Sequence, residues 1–150
     1  MNRQNQVVEI ARAPLGKDAA AGFTLWREAM RWQRGINAAL RPVGLTHTQF
    51  LILASLARAG QVAGDAVVQR TIADVAGLDE STTSGVLRTL ENRGLVDRRP
   101  INGDGRAWRV VVSASGQKIL RQSGPLVSAA ARRFQSERDD RPRARAKPRA

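Results

Sequence analysis

The chain has no cysteine, no tyrosine and a single histidine. Without thiols there is no disulfide, no thiolate-rich metal centre and no thiol-based redox sensing, and one imidazole, His47, does not suffice for a histidine zinc site. The same scarcity, with no glycine-rich phosphate loop, leaves few candidates for acid–base or nucleophilic chemistry, so neither an enzymatic activity nor a cofactor is expected. No apolar run approaches the length needed to span a bilayer. The opening MNRQNQVVEIARAPLGKDAA also lacks the continuous apolar segment of a secretory signal, so the expected location is the cytoplasm, with no membrane partner.

Acidic residues are also in short supply, 13 against 25 Lys and Arg, for a net charge of +12 over 150 residues. That length suits one ordinary domain with a single core. The excess is lopsided: residues 121–150 hold 9 bases and 3 acids, and residues 21–120 hold 13 bases and 8 acids. The closing RPRARAKPRA has no apolar period and reads as a disordered basic tail over 139–150, serving either loose phosphate affinity or solubility. A positive excess persists without the tail, and a polyanion is the partner class that makes most use of it. Nucleic acid is favoured over a membrane surface, because no helix is basic on one whole face and richly aromatic on the other.

Residues 1–20 show no convincing period and read as a flexible arm, followed by a domain over 21–138. From Phe23, Leu25, Ala29, Trp32, Ile36 and Leu40 recur at helical steps, with Phe23, Trp26 and Met30 as a second stripe beside them. Two stripes point to a helix that meets a further surface, most simply a second copy of the chain; the alternative is deeper burial within one domain. Pro42 and Gly44 end this helix. The next begins at Thr46, whose spacing to Gln49 is that of a capping box, with His47 as a solvated first-turn residue. Phe50, Leu53, Ala54 and Ala57 form its expected inward face, and Gly60 its expected end.

After a short β-prone piece at Val67–Gln69, RTIADVAGLDESTTSGVLRTLENRGL predicts a helix over 71–76, a turn at Gly77, and a longer helix from near Ser81 to before Gly94. Asp79 and Ser81 are both competent caps. This is the helix-turn-helix pattern, with Ala73 small at the close approach and Ile72, Leu78, Val86, Leu87 and Leu90 supplying apolar faces. The opposite face of the second helix carries Ser81, Thr82, Ser84, Gly85 and Arg88. Short side chains at a helix start let the backbone approach a phosphate chain, where exposed N–H groups favour negative charge. An ordinary helical hairpin would also expose a polar face.

The stretch DRRPINGDGRAWRVVVS follows, with turn residues at Asn102–Gly105 and a β-prone run from Trp108 to Val112. A hairpin directly after such a helix is the wing of a winged-helix domain. Its Arg98, Arg99, Arg106 and Arg109 suit phosphates and a narrow, electronegative minor groove. Asp104 is expected to pair with Arg106 and hold it in place. Protection of hairpin edges by charge is the competing reading. Beyond the wing, a helix over 114–122, a break at Gly124-Pro125 and a second helix over 126–137 are expected, the last with Leu126, Ala130 and Phe134 in a stripe.

LTHTQFLILASLA, TIADVAGLDESTTSGVLRTLENRGLVDR, the wing DGR at 104–106 and SASG at 113–116 resemble the successive blocks of MarR-family transcriptional regulators, over about residues 20–138. The resemblance implies a mainly α fold with a small β-hairpin wing: a winged helix-turn-helix whose N- and C-terminal helices form a homodimer. It implies double-stranded DNA as partner, recognition helices in successive major grooves, repression of transcription, and a possible small organic effector bound between the DNA-binding and dimer regions. Ser81, Thr82, Ser84, Arg88, Arg93, Arg98, Arg99, Asp104 and Arg106 are the expected DNA-binding residues; Leu25, Trp26, Ala29, Trp32, Ile36, Leu126, Ala130 and Phe134 are the expected dimer interface. Two departures stand out. Gly85 occupies a place where the family often has a long basic side chain, and the segment after the wing is short. A winged-helix adaptor that binds protein rather than specific DNA is the alternative reading.

Overall fold

The computed structural model describes residues 16–63, 67–101 and 104–140, with side chains in these spans described except at 16–19, 62–63 and 104–107. The elements are α1 (Gly16–Leu40), a 3-10 turn (Arg41–Val43), α2 (His47–Ala63), β1 (Val67–Val68), α3 (Gln69–Ala76), α4 (Glu80–Asn92), β2 (Val96–Ile101), β3 (Asp104–Val112) and α5 (Ala114–Asp139). The strands form one antiparallel sheet in the order β1-β3-β2. The fold is thus mainly helical with a small sheet, and β1 adds a third strand to the expected hairpin.

The chain divides into two compact units, 1–35 and 36–150. In the first, helix starts at Gly16, inside the segment expected to be a loose arm; Ala19, Ala20 and Ala21, the strongest helix formers, explain the early start. Residues 1–15 lie outside the described residues. Leu25 and Trp26 are 72% and 57% exposed, and the Phe23 and Trp26 rings stack at 5.8 Å.

In the second unit the end of α1 turns inward. Ile36 and Leu40 are fully buried, so Ile36 is part of the protomer's own core and is withdrawn from the expected dimer surface. Of the other expected interface residues, Ala29 is exposed and Trp32 half-buried in the first unit, and Leu126, Ala130 and Phe134 are half-buried in the second. Gly44, at φ +67°, closes the 3-10 turn by donating its N–H to the Arg41 carbonyl at 3.0 Å. The capping box at α2 is reciprocal: Gln49 N–H donates to Thr46 Oγ1 at 3.2 Å and Thr46 N–H to Gln49 Oε1 at 3.0 Å. His47 is half-buried rather than solvated. Its N–H donates to Asn37 Oδ1 at 2.7 Å, and desolvation lowers the ring pKa below 6.5.

The inward face of α2 is Ile52, Leu53 and Leu56, which bury more apolar area than the expected Phe50, Ala54 and Ala57, all half-buried. The helix passes Gly60 and runs to Ala63, since one interior glycine costs only about 1 kcal/mol. Beyond the sheet, α5 is one helix of 26 residues, not two: Pro125 lies inside it. Pro125 removes the N–H that would bond the Arg121 carbonyl; both residues are exposed, so that carbonyl is open to water and the helix continues. The expected boundary at 138/139 is one residue short of the helix end, and the tail at 141–150 lies outside the described residues.

Candidate nucleic-acid interface

Two glycines set the frame of the helix-turn-helix. Gly77 and Gly94 adopt φ +66° and +68°, the left-handed conformation that ends α3 and the turn after α4. Ile72, Ala73, Leu87 and Leu90 are buried between the helices, with Ala73 small as the close approach requires, while Leu78 and Val86 are half-buried. Thr83 also faces inward, fully buried, and its hydroxyl has no hydrogen-bond partner.

Helix α4 begins at Glu80 with Asp79 as its cap. Asp79 Oδ1 accepts the Thr82 N–H at 2.7 Å and Oδ2 accepts the Thr82 hydroxyl at 2.6 Å; these bonds, the side-chain one foremost, lower the Asp79 pKa. The cap alters the expected chemistry of the helix start, because a carboxylate already occupies one amide and places negative charge where a phosphate was expected. Ser81, Thr82, Gly85 and Arg88 are exposed and Ser84 is half-buried, all turned away from the core stripe of Thr83, Leu87 and Leu90. Arg88 reaches back to Ser84 Oγ at 3.4 Å, and a Cβ on Gly85 would meet nothing within 4 Å. The face is a low, hydroxyl-bearing ridge with one long cation.

The arginines expected to contact DNA separate in the structure. Arg93 donates to the Gly44 carbonyl at 2.8 Å and to Gln49 Oε1 at 3.3 Å, joining the end of α4 to the cap of α2. Arg98 departs furthest from expectation. Its side chain is only 6% exposed, donates to Gln69 Oε1 at 2.9 Å, pairs with Glu91 Oε2 at 3.4 Å and lies 4.7 Å over the Trp108 ring. It is a tie between the sheet and both helices, withdrawn from solvent, and its Nε has no partner. Arg99, one residue on, points to the opposite face and is exposed, as is Arg109 directly across from it on β3. Asp104 and Arg106 lie on β3, but their side chains, and with them the expected pairing, are outside the described residues.

Gln69, Glu91 and Trp108 were missed by reasoning from local sequence. Strand alternation carries a signal: Val96 and Val110 are buried, so Arg98, two residues from Val96 and paired with Val110, shares their face. Among the described residues there is no group of three or more potential metal ligands, and no helix is long and apolar enough to cross a membrane.

A turn-linked helix pair with an exposed second helix, followed directly by a two-stranded wing, defines a winged helix-turn-helix protein. The MarR family model matches residues 43–107. The chain is 30% identical to the uncharacterized HTH-type transcriptional regulator YdcH of Bacillus subtilis over 112 residues, 75% of this chain and 76% of that protein. The protein belongs to the MarR family. It is also 28% identical to the HTH-type transcriptional repressor Rv2887 of Mycobacterium tuberculosis, over 77% of this chain and 80% of that one. The crystal structure of the M. tuberculosis transcriptional regulator MOSR in complex with DNA superposes with a TM-score of 0.66 at 27% identity, covering 77% of this chain and 80% of that chain.

Proposed function

We propose that the protein is a cytoplasmic, homodimeric repressor that binds a specific DNA duplex through the exposed face of α4 and loses affinity when a small organic ligand binds. The observation that carries this reading is the sorting of α4: Leu87 and Leu90 are buried while Ser81, Thr82, Gly85 and Arg88 are presented to solvent beside a sheet bearing outward arginines. Short side chains let the helix enter a major groove of about 12 Å, and Arg88 is long enough to reach a base edge or phosphate. Exposed Leu25 and Trp26 on α1, with Trp26 stacked on Phe23, form an apolar patch that supports pairing with a second copy. The relatives named as a repressor and as a DNA complex support the same reading. The family resemblance supports the ligand.

Selection of bound duplexes from a random pool tests it. A palindrome with half-sites about one helical turn apart is the expected result. Absence of enrichment, with salt-insensitive capture of a protein partner instead, would favour the adaptor reading.

A further inference from the structure

The sheet places Arg99 of β2 directly opposite Arg109 of β3, both exposed. Facing residues on antiparallel strands are separated by only about 4.5–5.5 Å between Cα atoms, and like charges so placed repel. Among the described residues, no ion pair or hydrogen bond engages either guanidinium. The contrast with Arg98 is sharp, since that neighbouring guanidinium is turned to the other face and held by Glu91, Gln69 and the Trp108 ring. The row continues to Val68 of β1, the register partner of Arg109, and two residues later Arg70 stands 79% exposed at the start of α3 with its Nε 3.5 Å from Glu80 of α4. Arg99 and Arg109 are thus the charged positions of a cross-strand row that ends at Val68.

Resting on the proposed function, we infer that Arg99 and Arg109 together clamp one backbone phosphate of the bound duplex, while Arg98 contacts no DNA. Two guanidinium forks carried on facing positions of adjacent strands can converge on the oxygens of a single phosphodiester, which relieves their mutual repulsion and gives each donor set an acceptor. Arg109 thereby joins Arg99 on one phosphodiester, and the flank of the wing holds DNA.

Fluorescence-anisotropy titrations of the selected duplex at several salt concentrations test the clamp, using the full chain and the variants Arg99→Gln, Arg109→Gln, the double variant and Arg58→Gln. Arg58, exposed on α2, controls for loss of net charge. Each wing variant should bind roughly tenfold more weakly, with the slope of log K against log salt reduced by about 1–2 for the two protomers, and the double variant should lose less than the two singles combined. Free of DNA, Arg109→Gln should melt no lower than the parent. Wing variants that bind like the parent or like Arg58→Gln would overturn the clamp and leave the DNA reading standing; a parent chain that binds no duplex at all would overturn both.

Discussion

Replacing Gly116 with alanine tests the joint that holds α4 in place. Gly116 is buried in the first turn of α5, where an added methyl would overlap the Leu95 carbonyl oxygen and lie 2.7 Å from Val112 Cγ1. Neither obstacle is the free end of a flexible chain: one is backbone at the end of the α4 turn, the other a strand side chain. The first turn of α5 must therefore move away from Leu95. Overpacking of this kind costs about 1–3 kcal/mol. The movement also strains two bonds of the joint, Ser113 Oγ to the Gly94 carbonyl at 2.6 Å and Ser113 N–H to the Leu95 carbonyl at 3.1 Å, each worth about 1 kcal/mol. Alanine regains about 1 kcal/mol in helix propensity. The net expectation is a loss of about 2–4 kcal/mol, or a fall in Tm of roughly 4–16 °C for a chain of this size. Gly85→Ala is the paired control. It is the same chemical change on an exposed helix with nothing within 4 Å, and should raise stability by about 0.5–1 kcal/mol. Urea denaturation followed by circular dichroism reads both. A Gly116→Ala protein as stable as the parent would refute the joint as described.

Thr83→Val replaces a fully buried hydroxyl that has no partner with a methyl of the same shape, and should raise the unfolding free energy from urea denaturation by about 1–2 kcal/mol; a lower value would show that the hydroxyl is satisfied. His47 titrates in the sense set by its burial. The folded state holds the ring below 6.5, so the unfolded chain binds the proton more readily, and the stabilisation present above about pH 6.5 is lost as pH falls through and below that value. Unfolding curves at pH 7.5 and 5.5 should show this loss, and His47→Gln should diminish it; equal slopes in both proteins would contradict the assignment.

What was legible in the sequence was local. Thr46 and Gln49 are three residues apart and bond each other, and Gly77 and Gly94 take left-handed conformations where helices must stop. The helix-turn-helix and wing were legible because they are built from such neighbours. Arg98 was misread because its partners, Glu91 and Gln69, are seven and 29 residues away, and local acids alone gave no reason to bury it. Its separation from Arg99 depends on strand register, which pairs Arg98 with Val110 and Arg99 with Arg109. Pro125 and Gly60 were misread as breaks for a different reason. Their local penalties, about 3 and 1 kcal/mol, act against helices of 26 and 17 residues whose other turns remain bonded and partly packed. His47 reads as solvated until the end of α1 folds back and brings Asn37 to its amide.

The most direct test of the central claim, that the exposed face of α4 lies in the major groove, exploits the absence of cysteine. Ser81→Cys creates a unique thiol at the exposed start of α4 for attachment of an iron chelate that cleaves nearby DNA. On the selected duplex, cleavage should cluster at two major-groove positions about 10 base pairs apart. Duplex that is bound yet cut nowhere near its major groove would contradict the account.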